Sequence, residues 1–579
     1  MNKNSVGIHP FGHDSALVTI REKKNHLIIY AEATERITRQ KHDVKPVFSL
    51  KYFSNLLKNS ENIIISNQES KSLQINMFNI QSFLDKFYFY KFKKTNIRKT
   101  FFKFLRSSSG YLFNKINKYY PSDDLNKYLK DKFGKDKNIS QIQHHLAHAL
   151  TAYHTCPDSW EEKDILCVTI DGQGDKLCGS VHSVEKGILN ELITIDSRAS
   201  LCIIYAYATK CLGFVPNADE GKLEALACYA KNPKKILYDD LLKTFNINKK
   251  NLNIEVDENR YKEILRYLKN KRYLKYLSCE ELAWNMQQFF EDFYSDWVEK
   301  IADKYHKRKI ALAGGGAANV KLNRRIFESD KIQDIHIFPA MGDDGVAFGA
   351  AIFPLIGRKS LKSLRNIGIP YWGYKISNKS AENIASYLDP KDFKVNKYSQ
   401  KKLSKIIADK ISIGQIGSIC CGAAEFGPRA LGNRSIIASP TKNEIREKIN
   451  KVFKKREWFQ PFCPIIAIEE CPKYLKNWYL NKHMTCAFPV KECAFKEIPS
   501  CVHIDGTSRV QVLTKDDNVL INLILEELNL IGHPKVLLNT SFNLHGRSIV
   551  RTANDGVQDF LDCDLDFMLL GNIFIERKR

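Results

Sequence analysis

The chain has 579 residues, and 89 Lys and Arg against 65 Asp and Glu give it a formal charge of +24. With 44% hydrophobic and 27% charged residues it has material for roughly two to four domains with buried cores, which excludes disordered, collagen-like and coiled-coil classes. No apolar run reaches the ~18 residues of a membrane-spanning helix, and the opening MNKNSVGIHPFGHDSALV carries no signal-peptide pattern, so a cytoplasmic location is expected.

SVGIHP and ALVTI read as strands around the turn FGHDS, and HLIIYAEA reads as a third strand. Two basic stretches carry most of the charge excess. Lys86 to Lys137 holds 15 basic and 4 acidic residues interleaved with aromatics, and Lys231 to Lys275 holds 13 and 6. The first stretch fits a nucleic-acid face, an anionic membrane surface, or a helical insertion with Phe and Tyr inward and Lys solvated. The solvated insertion is the plainest of these, because Lys and Asn are abundant along the whole chain; a nucleic-acid partner is not expected. The second stretch reads as amphipathic helices.

NISQIQHHLAHALTAYHT has helical spacing, and ILCVTI is a strand running into the turn DGQGD. GFVPNADEGKLEALACYA is a loop entering a helix, ELAWNMQQFFEDFYSDWVEKIADKYH is a long helix, and KIALA leads into GGGAAN. IHIFP then runs into AMGDDGVAFG. Strands that deliver Gly- and Asp-rich turns into helices indicate an α/β fold with its site at the strand ends. Residues 357–375 form a basic, Gly- and Pro-punctuated connector, beyond which a second α/β region presents arginines and small hydroxyls. The fifteen cysteines form no CxxC pair and read as free thiols, and no internal repeat is visible.

His144 and His148, four apart in HHLAH, share one helix face and can share one ion. Such a pair alone is weak evidence. Asp171, after an apolar strand, and Asp343, in GDDG before a helix, strengthen it. Two imidazoles and two carboxylates suit Fe(II), Mn or Zn. The plain alternative for each Asp is a turn or cap residue, and His145 faces elsewhere as a structural or supporting residue. The run Gly314, Gly315, Gly316 permits close approach of a nucleotide base or ribose. Further on, Arg429, Arg434, Lys454 and Arg456, with Asn539, Thr540 and Ser541, have the chemistry to hold one or two phosphate groups. Ordinary surface salt bridges are the alternative for these cations.

Taken together, HDSALV, EATERITRQKHD, EFGPRALGNRSI, LLNTSFNLHG and DFMLLGN closely resemble the nodulation protein U and antibiotic O-carbamoyltransferase family over nearly the whole chain. The resemblance implies an actin-like ATPase domain (sugar kinase and heat-shock-protein kind) at 1–365 and a YrdC-like α/β domain at 366–579; the basic stretches read as helical insertions in the first, at about 70–138 and 231–276. It implies formation of carbamoyl-AMP from carbamoyl phosphate and ATP in the second domain, and transfer to an acceptor hydroxyl at an iron site in the first. On that basis His144, His148, Asp171 and Asp343 match the metal ligands. Gln173, Lys222, Gly314, Gly315, Gly316 and Asn319 face the nucleotide. Arg429, Arg434, Lys454, Arg456, Asn539, Thr540 and Ser541 hold carbamoyl phosphate and ATP, with Arg429 and Lys454 catalytic. His13 and Asp14 line the transfer site, His13 positioning the acceptor, and Mg accompanies ATP.

The sequence departs from the family at Ala423, where a cation is common, at Trp458 and Gln460 in REWFQPFCP, and in ALACYA, where the family has GLAPYG. The expected acceptor is a sugar hydroxyl or small polyol. Peripheral membrane contact and homodimerisation are compatible with the sequence. Two other readings are a tRNA threonylcarbamoylation-type enzyme and a non-catalytic nucleotide-binding module built on a decayed site.

Overall fold

The computed structural model describes residues 4–9, 14–23, 26–41, 57, 60, 62–66, 138–365 and 367–578. His13 and the expected basic insertion up to residue 137 lie outside the described residues. The fold is mixed α/β. Strands β1 (Asn4–His9), β2 (Ala16–Lys23), β3 (His26–Ala33), β4 (Asn62–Ser66) and β5 (Asn138–Ile142) form one sheet in the order 3-2-1-4-5. The first three make an antiparallel meander, and β4 and β5 add in parallel beyond β1.

A second sheet contains β6 (Ile165–Gly174), β7 (Leu177–Glu185) and β8 (Ile188–Asp196). After a small hairpin, β9 (Phe245–Ile247) with β10 (Ile254–Val256), the strands β11 (Lys309–Ala313) and β12 (Asp334–Ile337) complete it in the order 12-11-6-7-8. Read from the other edge, this is the arrangement of the first sheet: a meander, then two parallel strands on the far side of its first strand. The strand order repeats where the residues do not, because a shared topology requires a pattern of burial rather than shared side chains. Two such units in tandem are the layout implied for an actin-like ATPase.

Helices α1 (His144–Thr155), α2 (Glu220–Leu226), α3 (Cys279–Tyr305), α4 (Val320–Phe327) and α5 (Asp343–Ile352) link and cover the sheets. The sequence predicts one helix through NISQIQHHLAHAL, but NISQI pairs in parallel with β4 and the helix begins only at His144. Gln143 starts it, its side chain accepting from the Leu146 N–H at 2.5 Å. Helix α5 packs on α1 and β1. Gly349 makes this possible, since a Cβ there would lie 1.9 Å from the Ala147 carbonyl oxygen. The stretch 231–276 is only partly helical, because it also contains the β9–β10 hairpin. Its helix Glu258–Lys269 buries Tyr261, Ile264 and Leu268 and leaves its charged residues outward.

The second half is built on an eight-stranded sheet in the order 13-22-21-14-15-20-16-19. Its strands are β13 (Phe393–Lys397), β14 (Gly417–Cys420), β15 (Arg434–Ala438), β16 (Cys463–Ala467), β19 (Gln511–Leu513), β20 (Val536–Ser541), β21 (Phe567–Leu570) and β22 (Ile573–Arg577), with β17 (Phe488–Pro489) and β18 (Thr507–Ser508) as a separate ribbon. Helices Gln400–Ser412 and Val519–Leu530 close one face, and Ala553–Asp562 the other. Polar ties join the halves. Arg36 Nη2 donates to the Gly427 carbonyl at 2.7 Å, Arg39 Nη2 meets Asp559 Oδ2 at 2.6 Å, and Arg551 forms a buried ion pair with Glu32. All fifteen cysteines are unpaired. Among the described residues no helix is long and apolar enough to cross a membrane.

Candidate functional site

His144 and His148 of α1, Asp171 near the end of β6 and Asp343 at the start of α5 converge, their ligand atoms lying within 4.8 Å of one another. Asp343 Oδ1 is 3.5 Å from His144 Nε2 and 3.6 Å from His148 Nε2. Asp171 Oδ2 is 3.3 Å from His144 Nε2, while its Oδ1 accepts from the Gly315 N–H at 2.8 Å. Asp171 is not in a turn as predicted. Strand β6 continues to Gly174, with its pairing to β7 shifted after Ile170, and that irregularity aims the carboxylate inward. Gly174 is needed because a Cβ there would lie 2.3 Å from His144 Cδ2. Gly314, at φ +90, similarly allows the GGG run to pass over β6, where a Cβ would meet the Ile170 carbonyl oxygen at 2.3 Å.

Burial works to raise the Asp171 carboxyl, but the hydrogen bond to His144 and the neighbouring imidazoles bring it down to about 2. Burial likewise opposes a charge on Asp343, yet His9 and His144 hold it well below the ordinary carboxylate range. Burial also resists a proton on His144, and the two carboxylates outweigh it and raise the ring. His148 Nε2 is buried with no hydrogen-bond partner among the described residues. An orphaned imidazole nitrogen, a second imidazole and two ionised carboxylates at one point fit a divalent ion of the Fe(II), Mn or Zn kind. His145 is a supporting residue, its Nδ1 2.9 Å from Thr169 Oγ1.

Asp171 and Asp343 open onto a cavity of about 1470 Å³ whose walls come from both halves of the chain. Asp14, Gln173, Lys222, Gly315, Gly316 and Asn319 line it on the first-half side. Asn319 is fixed by a reciprocal amide pair with Gln287, at 3.0 and 2.9 Å. Lys222 reaches across the cleft to Glu457 at 3.2 Å. Burial and the charge of Asp14 hold Asp344 well above its ordinary value.

Arg429, Lys454, Arg456 and Arg509 line the opposite wall, together with Ser541. The Arg509 charge, then burial, lowers Arg429 to about 10; burial does the same to Arg456. Lys454 is pushed well below its ordinary value by burial, then by Arg456 and Lys41, and its ammonium is held by Ser541 and by Asn543 Oδ1 at 2.7 Å. Basic groups crowded so closely that Arg429, Lys454 and Arg456 are all lowered make a site for an anion.

The structure corrects part of the predicted phosphate set. Arg434 is fully buried and directs its guanidinium at backbone carbonyls, including those of Asn433 at 2.9 Å, Tyr374 at 3.0 Å and Gly422 at 3.2 Å. Asn539 is buried and its Nδ2 donates to the Ala430 carbonyl at 2.9 Å. Neither residue lines the cavity, nor does Thr540. In EFGPRALGNRS, Glu425 Oε1 accepts from the N–H groups of Leu431 and Asn433, both at 2.8 Å. Gly427 and Gly432 supply φ of +114 and +116. The motif is therefore a fixed loop that carries Arg429 into the cavity. Ala423 is not among the lining residues, whereas Gln460 is. Gly314 lies behind the wall that Gly315 and Gly316 form.

Sequence reasoning missed Arg509, although HIDGTSRVQVL was visible as a motif; it also missed Asn543, two residues past the predicted hydroxyls, and His9 on β1. A second group of donors, Cys228, His503 and Asp505, stands near the cationic wall. Lys321 Nζ fills it, 2.5 Å from Cys228 Sγ and 2.7 Å from Asp505 Oδ2, and so takes a cation's place.

Residues 4–352 match the family model described as "Carbamoyltransferase N-terminus", and residues 408–577 match "Carbamoyltransferase C-terminus". The chain is 35% identical to an uncharacterized protein of Methanocaldococcus jannaschii, covering 99% of each. It is 28% identical to Nodulation protein NolO of Bradyrhizobium diazoefficiens, covering 76% of this chain and 79% of that one. Among solved structures it is similar to HypF from T. kodakarensis, at 14% identity and a TM-score of 0.35, covering 63% of this chain and 49% of that one.

Proposed function

The chain belongs to the carbamoyltransferase family, and from that premise we propose that it is an ATP- and carbamoyl-phosphate-dependent O-carbamoyltransferase acting on a sugar hydroxyl or other small polyol. The observation that carries this reading is the single cavity that meets two ionised carboxylates of the metal cluster on one wall and, on the other, three half-buried arginines and the buried Lys454. Residues 366–579 are assigned to adenylation. There carbamoyl phosphate and water yield carbamate and phosphate, and the carbamate oxygen attacks ATP to give carbamoyl-AMP and pyrophosphate. Arg429, Arg456 and Arg509 would hold the phosphates, because guanidinium binds them in a bidentate manner. Lys454, fixed against Ser541 and Asn543, would follow charge through the displacement. An enclosed path between the walls suits an intermediate that water would destroy.

Residues 1–365 are assigned to transfer: the acceptor oxygen attacks the carbamoyl carbon, AMP departs, and the hydroxyl proton leaves to a base. His144, His148, Asp171 and Asp343 would hold the divalent ion, which supplies Lewis-acid polarisation of the carbonyl. Asp14, on the same wall, would orient the acceptor, and His13, beside it in sequence, is assigned the proton. Lys222, Gly315, Gly316 and Asn319 would bind nucleotide.

The test needs no acceptor. Purified protein is incubated with ATP and carbamoyl phosphate, pyrophosphate is measured, and carbamoyl-AMP is sought by mass. Release that depends on carbamoyl phosphate and disappears in Arg429→Ala is expected. Pyrophosphate release indifferent to carbamoyl phosphate, or none even with candidate glycans added, would refute the assignment.

A further inference from the structure

We propose that His9 is a positioning residue of the metal centre, fixing the carboxylate of Asp343 so that one oxygen is presented to the imidazoles of α1; this rests on the metal reading above. His9 is the last residue of β1 and is fully buried. The parallel pairing of β1 with β4, which sets Ile8 opposite Ile65, brings His9 beside Ser66 at the strand ends. Its Nδ1 lies 2.8 Å from Ser66 Oγ, and its Nε2 lies 3.4 Å from Asp343 Oδ2. The two oxygens of Asp343 thus have separate tasks. Oδ1 faces His144 Nε2 and His148 Nε2, at 3.5 and 3.6 Å, while Oδ2 faces His9.

The charge of the carboxylate selects the tautomer. A bare Nε2 lone pair aimed at Oδ2 would be repelled, whereas an Nε2–H is attracted. The Ser66 hydroxyl therefore donates to Nδ1, and His9 Nε2–H is the group facing Oδ2. Among the described residues Nε2 makes no hydrogen bond, and the acceptor it faces is Asp343 Oδ2 at 3.4 Å. His9 is not in the group of donors that meet within 4.8 Å, so its role is exerted through Asp343 rather than on the ion. Outer partners of this kind fix the orientation of a ligating carboxylate, and their loss typically costs about 10- to 100-fold in metal affinity.

The experiment titrates the full chain with Co(II), read by visible absorption, against a chromophoric chelator. Wild type is expected to bind one equivalent; failure here would sink the metal reading itself, and with it the role of His9. His9→Ala is expected to bind about 10- to 100-fold more weakly with a changed absorption band. His9→Gln, whose amide N–H₂ can reach Oδ2, should recover most of the loss, and Ser66→Ala should fall between. Wild-type affinity in His9→Ala would overturn the proposal, as would a loss that His9→Gln does not relieve. Should His9→Ala fail to fold, His9→Gln and Ser66→Ala decide the matter: near-wild-type affinity in His9→Gln with a weaker affinity in Ser66→Ala supports positioning, and wild-type affinity in Ser66→Ala, or a loss in His9→Gln as large as in Ser66→Ala, refutes it.

Discussion

Replacing Gly174 by Ala tests the metal cluster with a single methyl group. The added Cβ would lie 2.3 Å from His144 Cδ2 and 2.8 Å from its Nε2, against an ordinary contact of 3.4 Å or more, so the ring must retreat by about 1 Å. It has little room to do so. His144 is fully buried, and the rings of His148, His145 and His9 stand 4.7, 5.3 and 5.8 Å from its centroid. Metal–ligand bonds tolerate only about 0.2 Å. Loss of one of four donors is expected to weaken Zn(II) or Co(II) binding at least about 100-fold, equivalent to about 2.7 kcal/mol. Gly174 is not at positive φ, so the substitution tests space rather than backbone strain. Gly172→Ala, two residues earlier and with nothing within 4 Å of its added Cβ, is the control. The assay is competition against a chromophoric chelator, with thermal melting of the metal-free proteins alongside. If Gly174→Ala binds within threefold of wild type, His144 is not where the ion is held.

The two arginines of EFGPRALGNRS should separate by phenotype. Arg434→Met strands several buried carbonyls and should cost at least about 3 kcal/mol in urea denaturation, while Arg429→Met should leave stability near wild type and remove phosphate-dependent activity; equal stabilities would contradict the burial of Arg434. Lys454 predicts a pH dependence. Its lowered value means the empty fold binds fewer protons than the unfolded chain, so stability should rise with pH from that value up to the ordinary 10.5. Binding of sulfate, an anion of constant charge, should restore the proton, so calorimetry in two buffers should show net proton uptake and an affinity that falls as pH rises; proton release would refute this. His148→Ala should retain carbamoyl-phosphate-dependent pyrophosphate release but lose transfer to acceptor, because its ring belongs to the cluster behind Asp343 and not to the cationic wall; loss of both would argue against two separable sites.

The parts of the site that could be read from the chain are those whose geometry is local. His144 and His148 are four apart on a helix, and a helix fixes where both rings point. Asp171 ends an apolar run and Asp343 comes after another, and strand ends in an α/β sheet are where polar groups collect. The first three strands of the first sheet are likewise recognisable from apolar runs broken by turns, whereas β4 is not among the strands the sequence reading picks out. NISQI reads as part of the helix that follows it because its partner, β4, lies across the intervening insertion in sequence. His9 has no spacing partner at all: one neighbour is set by the β1–β4 pairing and the other by the packing of α5 on β1. Arg429 and Arg434 look equivalent as residue types five apart, yet one enters the cavity and the other binds carbonyls. What separates them is the path of the loop, set by the left-handed Gly427 and Gly432 and by Glu425 gripping the backbone beneath. A long motif of this kind therefore owes most of its length to holding backbone, and only Arg429 within it brings a charge to the cavity.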